Sequence, residues 1–283
     1  MGDTFDGVEN VVGSGFNDTF VGDAESNIFL GGLGVDRYFG GDGSDTVSYA
    51  GLNGPAGARL DGFASFGVAA GETFDSIENL TGTAFNDVLV GNDEANILNG
   101  GTGGDDRFFG GQSVDTVSYE NATGAVGARL DGGANFGQAA GDIFDSIERL
   151  IGSAFNDVLV GGAGFAVRGG AGNDTLFNGA GSFDGLIGGL GDDLINVASG
   201  TGSSTTYERG DGGDRIVGFD ADDNDLLLIS GFDFTGNSSQ QADQFLALGV
   251  EQNGDVLFNF DDGGSILVED ITKADLASGI LIL

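Results

Sequence analysis

The feature that most limits how this chain can fold is a tandem repeat of nine residues, nested in a longer repeat of about 70 residues. The stretch FDSIENLTGTAFNDVLVGN at 74–92 returns as FDSIERLIGSAFNDVLVGG at 144–162, and a similar stretch occupies 5–23. Such a chain folds as an array, because one repeat cannot bury its apolar face alone and must stack on its neighbours. The long units run over 16–84 and 85–154, followed by a degenerate third from residue 155.

The short repeat runs four times without a gap over residues 13–48, as GSGFNDTFV, GDAESNIFL, GGLGVDRYF and GGDGSDTVS. Its first six places are rich in Gly and Asp, which favours a turn because Gly adopts positive φ without strain and Asx residues tolerate it. Its last three places alternate polar, apolar, polar, so a short strand points the eighth residue inward, as at Phe20 and Tyr38. We therefore predict an all-β parallel solenoid with two repeats per coil.

Stacked coils bring residues 18 positions apart next to each other, so the sixth places form a column on each edge. Asp18 then lies beside Asp36, and Asn27 beside Asp45, with glycine carbonyls alongside. Six to eight oxygen ligands in flexible geometry suit Ca²⁺ better than Mg²⁺, which prefers a strict octahedron. Because stacked carboxylates repel one another without a cation, we expect folding to be coupled to the binding of several Ca²⁺ ions.

The predicted metal ligands are sixth-place side chains and the glycines of the same turns. The side chains are Asp18, Asp36, Asp45, Asp87, Asp105, Asp115, Asp157, Asp174, Asp193, Asn27 and Asn96. The glycines are Gly32, Gly34, Gly41, Gly43, Gly101, Gly103, Gly170, Gly172, Gly189 and Gly191. In the second long unit this alignment leaves one inserted residue near Asp106.

Several turns depart from the pattern. Phe16, Phe85 and Phe155 replace the fourth-place glycine, and we expect those turns to bind an ion weakly or not at all. Asn27 and Asn96 keep a carbonyl oxygen but lose a charge. Each asparagine is therefore either a neutral calcium ligand or an ion-free rung, and the sequence leaves both readings open.

The composition excludes several classes of function. The chain has no His and no Cys, which removes imidazole bases, thiolate nucleophiles, disulfides and the usual zinc and iron–sulfur ligands. A net charge of −36 disfavours nucleic acid as a partner. No apolar run approaches the ~20 residues of a membrane span, and the N-terminus lacks the basic and apolar regions of a secretory signal peptide.

The motifs GGLGVDRYFGGDGSD, GGAGNDTLF and GGLGDDLIN resemble those of the hemolysin-type calcium-binding repeat (RTX) family, over roughly residues 5–217. This resemblance implies a right-handed parallel β-roll, or β-helix, that forms when Ca²⁺ binds. It also implies export by a type I secretion apparatus and an extracellular location for the folded protein.

The C-terminal region differs from the array in composition. From about residue 198 the nine-residue repeat fades and aliphatic strands such as RIVGF and DLLLIS appear. Because a solenoid end exposes unpaired strand edges, we predict a β-rich cap here. The segments ERGDGGDRIVGFDADDNDLLLISGFDF and DITKADLASGILIL resemble the C-terminal targeting regions of type I secreted proteins. The predicted organisation is an RTX array at 1–197 and a capping and targeting region at 198–283.

Two other functions fit a repetitive solenoid. A glycan-active or glycan-binding β-helix would use paired carboxylates, for which Tyr119, Glu120, Asp61 and Asp131 are candidates. Asp61 and Asp131 recur at equivalent repeat positions, however, which favours a structural role, and we predict no enzymatic activity. An adhesin or surface-layer protein would present one uniform outward row, which the sequence lacks. A glycan or cell-surface partner stays an open alternative.

Overall fold

The computed structural model describes residues 8–162, 166–179, 185–197 and 202–283. These residues form short strands joined by turns, with few helical segments. They divide into two compact units, the first made of the described residues within 1–122 and 139–147 and the second of those within 123–138 and 148–283. No helix in the described part of the chain is long and apolar enough to cross a membrane.

The strands are short and evenly spaced. The first fifteen are β1 (Asn10–Val12), β2 (Thr19–Val21), β3 (Ile28–Leu30), β4 (Arg37–Phe39), β5 (Thr46–Ser48), β6 (Ala56–Arg59), β7 (Phe66–Gly67), β8 (Thr73–Asp75), β9 (Asn79–Thr81), β10 (Val88–Val90), β11 (Ile97–Asn99), β12 (Arg107–Phe109), β13 (Thr116–Ser118), β14 (Val126–Arg129) and β15 (Phe136–Gly137).

The remaining elements include two α-helices near the C-terminus. They are β16 (Ile143–Asp145), β17 (Arg149–Ile151), β18 (Val158–Val160), β19 (Val167–Ala171), β20 (Thr175–Phe177), β21 (Gly185–Leu190), β22 (Leu194–Asn196), β23 (Ser204–Glu208), β24 (Gly213–Val217), β25 (Leu226–Ser230), α1 (Ser238–Leu248), β26 (Val250–Gln252), β27 (Asp255–Asn259), β28 (Ser265–Val268), α2 (Lys273–Leu276) and β29 (Ile280–Ile282).

Within each unit, alternate strands stack in parallel with the predicted register. In the first unit Thr19 pairs with Arg37 and Ile28 with Thr46, both 18 residues apart. In the second unit β18, β20, β22 and β24 follow one another in one sheet, while β17, β19, β21, β23, β25 and β29 follow in another. The prediction of a parallel β-roll with two repeats per coil is confirmed.

The eighth places of the repeat build the core, as the alternation predicts. Phe20, Phe29, Tyr38 and Val47 are all buried. The rings of Phe20 and Tyr38 stack with centroids 5.2 Å apart, and Tyr38 continues the stack onto Phe74 at 5.6 Å. Each coil therefore adds an apolar rung inside, while its turn residues line the edges.

The 70-residue period comes from an inserted hairpin that joins the sheet by one strand. In the first unit β6 pairs in parallel with β10 and antiparallel with β7. In the second unit β14 pairs in the same way with β18 and β15. The two inserts thus occupy equivalent positions in their stacks.

The C-terminal residues add antiparallel strands and helix α1 to the second unit. Strand β24 pairs in parallel with β28, which pairs antiparallel with β27, and β27 with β26. Helix α1 starts with a capping box between Asn237 and Gln240 and buries Phe245, whose ring centroid lies 4.4 Å from that of Phe258. The predicted β-rich cap is present. The predicted boundary at 197/198 touches residues outside the described ranges and stays a prediction.

Candidate metal centres

The sixth-place side chains form a hydrogen-bonded ladder on each edge of the stack. In six rungs, one carboxylate oxygen (Oδ1) of an aspartate accepts the backbone N–H of the sixth-place residue one coil earlier. The donor and acceptor pairs are Asp18 and Asp36 (2.8 Å), Asn27 and Asp45 (2.7 Å), Asp87 and Asp106 (2.8 Å), Asn96 and Asp115 (2.8 Å), Asp157 and Asp174 (2.8 Å), and Asp174 and Asp193 (2.8 Å). The ladder hydrogen bond holds each carboxyl group in place through Oδ1. The second oxygen, Oδ2, takes no part in the ladder.

Glycine in the first place leaves room for that second oxygen. A Cβ at Gly169 would clash with Asp174 Oδ2 and with the carbonyl oxygen of Gly188 in the next coil. At Gly40 a Cβ would clash with Asp45 Oδ2 and with the carbonyl oxygen of Ser76. Each such position is a small cradle between coils, lined by a carboxylate oxygen and a carbonyl oxygen.

The second-place and fourth-place glycines shape the turn around each cradle. All ten predicted glycines have positive φ, namely Gly32, Gly34, Gly41, Gly43, Gly101, Gly103, Gly170, Gly172, Gly189 and Gly191. At Gly170 (φ 117°) and Gly172 (φ 112°) a side chain would be strained and would also clash with the backbone of the preceding coil. The glycines are thus needed for close stacking of backbones.

We call residues 40–45, 169–174 and 188–193 the open loops, because the second oxygen of their aspartate has no partner. Asp45, Asp174 and Asp193 are at most 2% exposed, and the Oδ2 atom of each is buried without a hydrogen bond. Burial raises the pKa of Asp174 to about 7 and that of Asp193 to about 6. A buried carboxylate in this state is destabilising unless a proton or a cation neutralises it.

We call residues 13–18, 82–87 and 152–157 the capped loops, because a Ser or Thr in the second place satisfies the second oxygen. Ser153 donates its hydroxyl to Asp157 Oδ2 at 3.0 Å and its backbone N–H at 2.5 Å. Ser14 and Thr83 contact Asp18 and Asp87 in the same way. These are the loops in which Phe replaces the fourth-place glycine. Hydrogen bonds therefore take the place that a cation would fill.

The two sixth-place asparagines are buried and stack as rungs of the ladder. Asn96 accepts the backbone N–H of Asn92 through Oδ1 (2.8 Å) and donates Nδ2 to the carbonyl of Glu78 (2.8 Å). Asn27 accepts the backbone N–H of Asp23 at 3.1 Å. The Asn96 amide is thus satisfied by protein groups on both of its ends, which favours the reading of an ion-free rung.

In the second long unit the inserted residue precedes the sixth place. Asp106 is buried and accepts the Asp87 N–H, whereas Asp105 is exposed, so the alignment that put Asp105 in the sixth place is corrected by one residue. The fourth place shifts likewise from Gly103 to Gly104, which lies against the carbonyl of Phe85. An extra glycine lets the turn bulge without moving the strand that follows. Burial raises the pKa of Asp106 to about 8.

Asp36 and Asp115 complete the predicted set. Both are buried. The Tyr38 hydroxyl lies 3.5 Å from Asp36 Oδ2 and equally far from Glu72 Oε1, a distance at the limit of hydrogen bonding. Burial raises the pKa of Asp36. Asp115 accepts the Asn96 N–H through Oδ1, as the ladder requires.

Sequence reasoning missed two acidic rungs, Glu78 and Asp142, and one further buried acid, Glu72. Glu78 accepts the Asp45 N–H (2.8 Å), and Asp142 accepts the Asp106 N–H (2.8 Å) and the Tyr119 hydroxyl (2.6 Å). The carboxylate of Glu72 accepts the hydroxyl of Tyr49. Each of these acids directly precedes a three-residue strand, and this position is the only sign in the sequence that they lie near the ladder. None of them follows a glycine-rich turn.

The donor set fits a hard cation. Among the described residues, no three acidic side chains converge on one point that could hold a metal ion. A cation in an open loop would therefore be held by one or two carboxylates together with backbone carbonyls. Such an all-oxygen set suits Ca²⁺, which accepts irregular geometry and carbonyl ligands.

A family profile agrees with this chemistry. The profile of the RTX calcium-binding nonapeptide repeat (4 copies) matches residues 12–47, 73–105, 81–117, 143–164 and 167–182. A search of curated proteins found no significant match. Among solved structures, the extracellular lipase LipA from Serratia marcescens is similar at 18% identity and a TM-score of 0.41, over 99% of this chain and 41% of that one. The chain thus spans under half of that lipase, and a likeness of this size says nothing about its own activity. The chain carries RTX repeats, which are calcium-binding motifs.

Proposed function

We propose that this chain is an extracellular calcium-binding β-roll that folds when Ca²⁺ binds, after export by a type I secretion apparatus. The observation that carries the proposal is the set of buried carboxylate oxygens without partners at Asp45, Asp174 and Asp193. These oxygens lie in cradles bordered by glycine turns, where a divalent cation would replace repulsion between rungs with attraction. The capped loops hold no ion in this proposal.

The expected free energies of calcium binding suit a chain that is unfolded inside the cell and folded outside it. With a Kd of ~10⁻⁴ M per site, calcium at ~10⁻² M stabilises the fold by about 2.7 kcal/mol per site, whereas sub-micromolar calcium contributes almost nothing. A chain that stays unfolded until it meets extracellular calcium suits passage through a narrow exporter. The C-terminal region at 198–283 would carry the targeting signal in this proposal.

Isothermal titration of the purified chain tests the calcium sites. We expect Ca²⁺ to bind at several sites in a background of 10 mM Mg²⁺, because Mg²⁺ gives up its waters reluctantly and fits the irregular cradles poorly. Absence of calcium binding, or equal binding of Mg²⁺, would contradict the proposal.

Deletion of residues 198–283 tests the proposed export route. It is expected to abolish export from a host that has a type I secretion apparatus.

The alternative of a glycan-active module has less support. Asp61 forms an ion pair with Arg59, and Asp131 pairs with Arg129 in the same way at the equivalent position of the second insert. The Tyr119 hydroxyl is engaged by Asp142. These candidates are thus occupied by structural contacts, and we propose a calcium-binding rather than catalytic role. Incubation with alginate or similar polymers, followed for new reducing or unsaturated ends, tests the alternative.

A further inference from the structure

The strands β1 and β2 lie at free edges of their sheets. Strand β1 ends the sheet that continues to β3 and β5, and β2 ends the sheet that continues to β4 and β8. In the part of the chain that the structure describes, no strand pairs with the other side of either. An exposed edge presents unpaired N–H and C=O groups, so it is a template on which a further strand can add.

The internal repeats show which strand fits this edge. The sequence GFNDTFVG at 15–22 returns as AFNDVLVG at 84–91 and at 154–161, so β2 is the equivalent of β10 and β18. Strand β10 pairs in parallel with β6, and β18 pairs in the same way with β14. Strand β9, the equivalent of β1, likewise pairs with β5, the strand that precedes the hairpin. Each unit therefore contains one hairpin docked on a strand of the β2 type.

The exposure of one valine measures how much surface the hairpin covers. Val21 in β2 is 75% exposed, whereas its equivalents Val90 and Val160 are 8% and 5% exposed. On the opposite side each of these valines pairs with a phenylalanine, namely Phe39, Phe109 and Phe177 in the same order. The difference in exposure therefore arises on the side where the hairpin docks.

A carboxylate beside the free edge also lacks a contact that its equivalents make. Asp87 accepts the N–H of Ala56 through Oδ1 at 2.6 Å, and Asp157 accepts the N–H of Val126 at 2.8 Å. In both cases the donor is the first residue of the docked strand. Asp18 is the equivalent acid, and among the described residues no N–H reaches its Oδ1. The edge of β2 thus keeps an acceptor for one more backbone amide.

The hairpins of this chain define the partner that would fit. Each docked strand points two small apolar side chains inward, Ala56 and Ala58 in one hairpin and Val126 and Ala128 in the other, all at most 1% exposed. Both hairpins are already engaged, on β10 and β18, and the sequence holds no third copy of the GARLDG strand. A hairpin of this pattern for β2 therefore comes from another polypeptide.

We propose that β1 and β2 form a docking face for a β-hairpin of this pattern, carried by a partner polypeptide. The partner strand adds to β2 in parallel, donates its first N–H to Asp18 and covers Val21. In strand addition of this kind, main-chain hydrogen bonds supply affinity and the fit of alternate side chains supplies specificity. The inference concerns a protein partner and goes beyond the proposed binding of calcium.

The test uses a fluorescent synthetic peptide of residues 45–70, which comprises β5, β6 and β7, and the full chain in 10 mM CaCl₂. We expect saturable binding by fluorescence anisotropy, with one peptide per chain. Val21→Asp should weaken binding about tenfold or more, because the docked strand would bury the added carboxylate. The matched control is Val250→Asp, which adds the same charge to an exposed valine on another edge strand, β26. This control is expected to bind the peptide like the unaltered chain, and equal binding by the two variants would overturn the inference.

Sedimentation of the chain without peptide tests for a different occupant. A second copy of the chain could pair with β2 through its own β2, and Val21→Asp would then dissociate a dimer. We expect no self-association that depends on Val21. A dimer that this substitution dissociates would overturn the inference.

A fused hairpin decides the matter if the free peptide does not bind. Residues 45–72 are placed ahead of residue 4, because TFD at 4–6 repeats TFD at 73–75 and so keeps the natural spacing. We expect hydrogen exchange at the Val21 amide to slow about tenfold or more, because the added strand pairs with the free edge of β2. The matched control carries Ala58→Asp in the added segment and should not slow exchange. Equal exchange in the fusion and its control would overturn the inference.

Discussion

The loops at 152–157 and 169–174 are neighbouring rungs of one ladder, and their aspartates are buried to the same degree. In the capped loop, the Ser153 hydroxyl and backbone amide satisfy Asp157. In the open loop, Gly170 stands in the second place and Asp174 keeps an unpartnered oxygen. One side chain in the turn thus decides whether a rung satisfies its own charge or needs a cation. The array combines both kinds of rung in the same stack.

The largest expected effect is that of pH on calcium-depleted protein, because it acts on every open loop at once. Burial raises the pKa of Asp193 to about 6 and that of Asp174 to about 7, from an ordinary value of 3.8. An acid with a raised pKa favours the folded state when protonated, so this stability is complete below about pH 4 and is lost as the pH rises through 6 to 7. Circular dichroism in calcium-free buffer should show more β-structure at pH 4.5 than at pH 8.

High salt provides the control for this experiment. Added NaCl at pH 8 screens the general repulsion of a chain with net charge −36 but does not neutralise buried carboxylates. We therefore expect salt to restore less β-structure than acid does. Equal recovery would mean that surface repulsion, and not the open loops, keeps the calcium-free chain unfolded.

The next largest effect is the difference in calcium dependence between a variant in an open loop and a variant in a capped loop. Asp174→Asn is expected to lose one ion and thus about 2.7 kcal/mol of unfolding free energy at 10 mM calcium, if Kd is ~10⁻⁴ M. Asp157→Asn should also destabilise the fold, because it disturbs buried hydrogen bonds. Denaturant unfolding at several calcium concentrations distinguishes the two, since each lost ion lowers the slope by about 1.4 kcal/mol per tenfold calcium. Equal slopes in the two variants would show that the distinction between loops is wrong.

The Asn96 rung should bind calcium when an aspartate replaces the asparagine. Asn96→Asp removes the amide that donates to the Glu78 carbonyl, while the cradle at Gly91 stays in place. We expect the variant to bind one additional calcium ion, with stability rising by about 1.4 kcal/mol more per tenfold calcium than in the unaltered chain. Equilibrium dialysis gives the count. A variant that binds no further ion would indicate that the cradle itself is not a site.

The smallest expected effect comes from a single cap. Ser153→Ala removes the hydroxyl that donates to both oxygens of Asp157 but keeps the backbone N–H contact. We expect a loss of about 1 kcal/mol in unfolding free energy, which is typical of one buried hydrogen bond. This loss should be the same at 1 and 10 mM calcium. If calcium restored the lost stability, the cap would be replaceable by an ion.

The repeat made the framework of the molecule predictable from sequence. The inward places, the 18-residue register and the columns of sixth-place residues all follow from turns and strands that alternate with a fixed period. The substitution of Phe for glycine marked the loops of Asp18, Asp87 and Asp157 as departures from the repeat pattern. It did not indicate the Ser and Thr that cap these aspartates, because the second place looked like an ordinary turn position.

Other residues of the site could not be predicted from the sequence, because they lie where the nine-residue spacing is interrupted. Asp105 and Asp106 are adjacent acids in a turn with an extra glycine, and only the strand register tells which one is buried. Glu78 and Asp142 reach the ladder after the inserted hairpins, which interrupt the nine-residue spacing.

Circular dichroism of the purified chain at neutral pH, in excess EGTA and then in 10 mM CaCl₂, measures whether folding requires calcium. We expect a largely unstructured spectrum in chelator and a β-rich spectrum once calcium is in excess, because the open loops cannot stack their charges without it. An identical β-rich spectrum in both conditions would show that the chain folds without calcium.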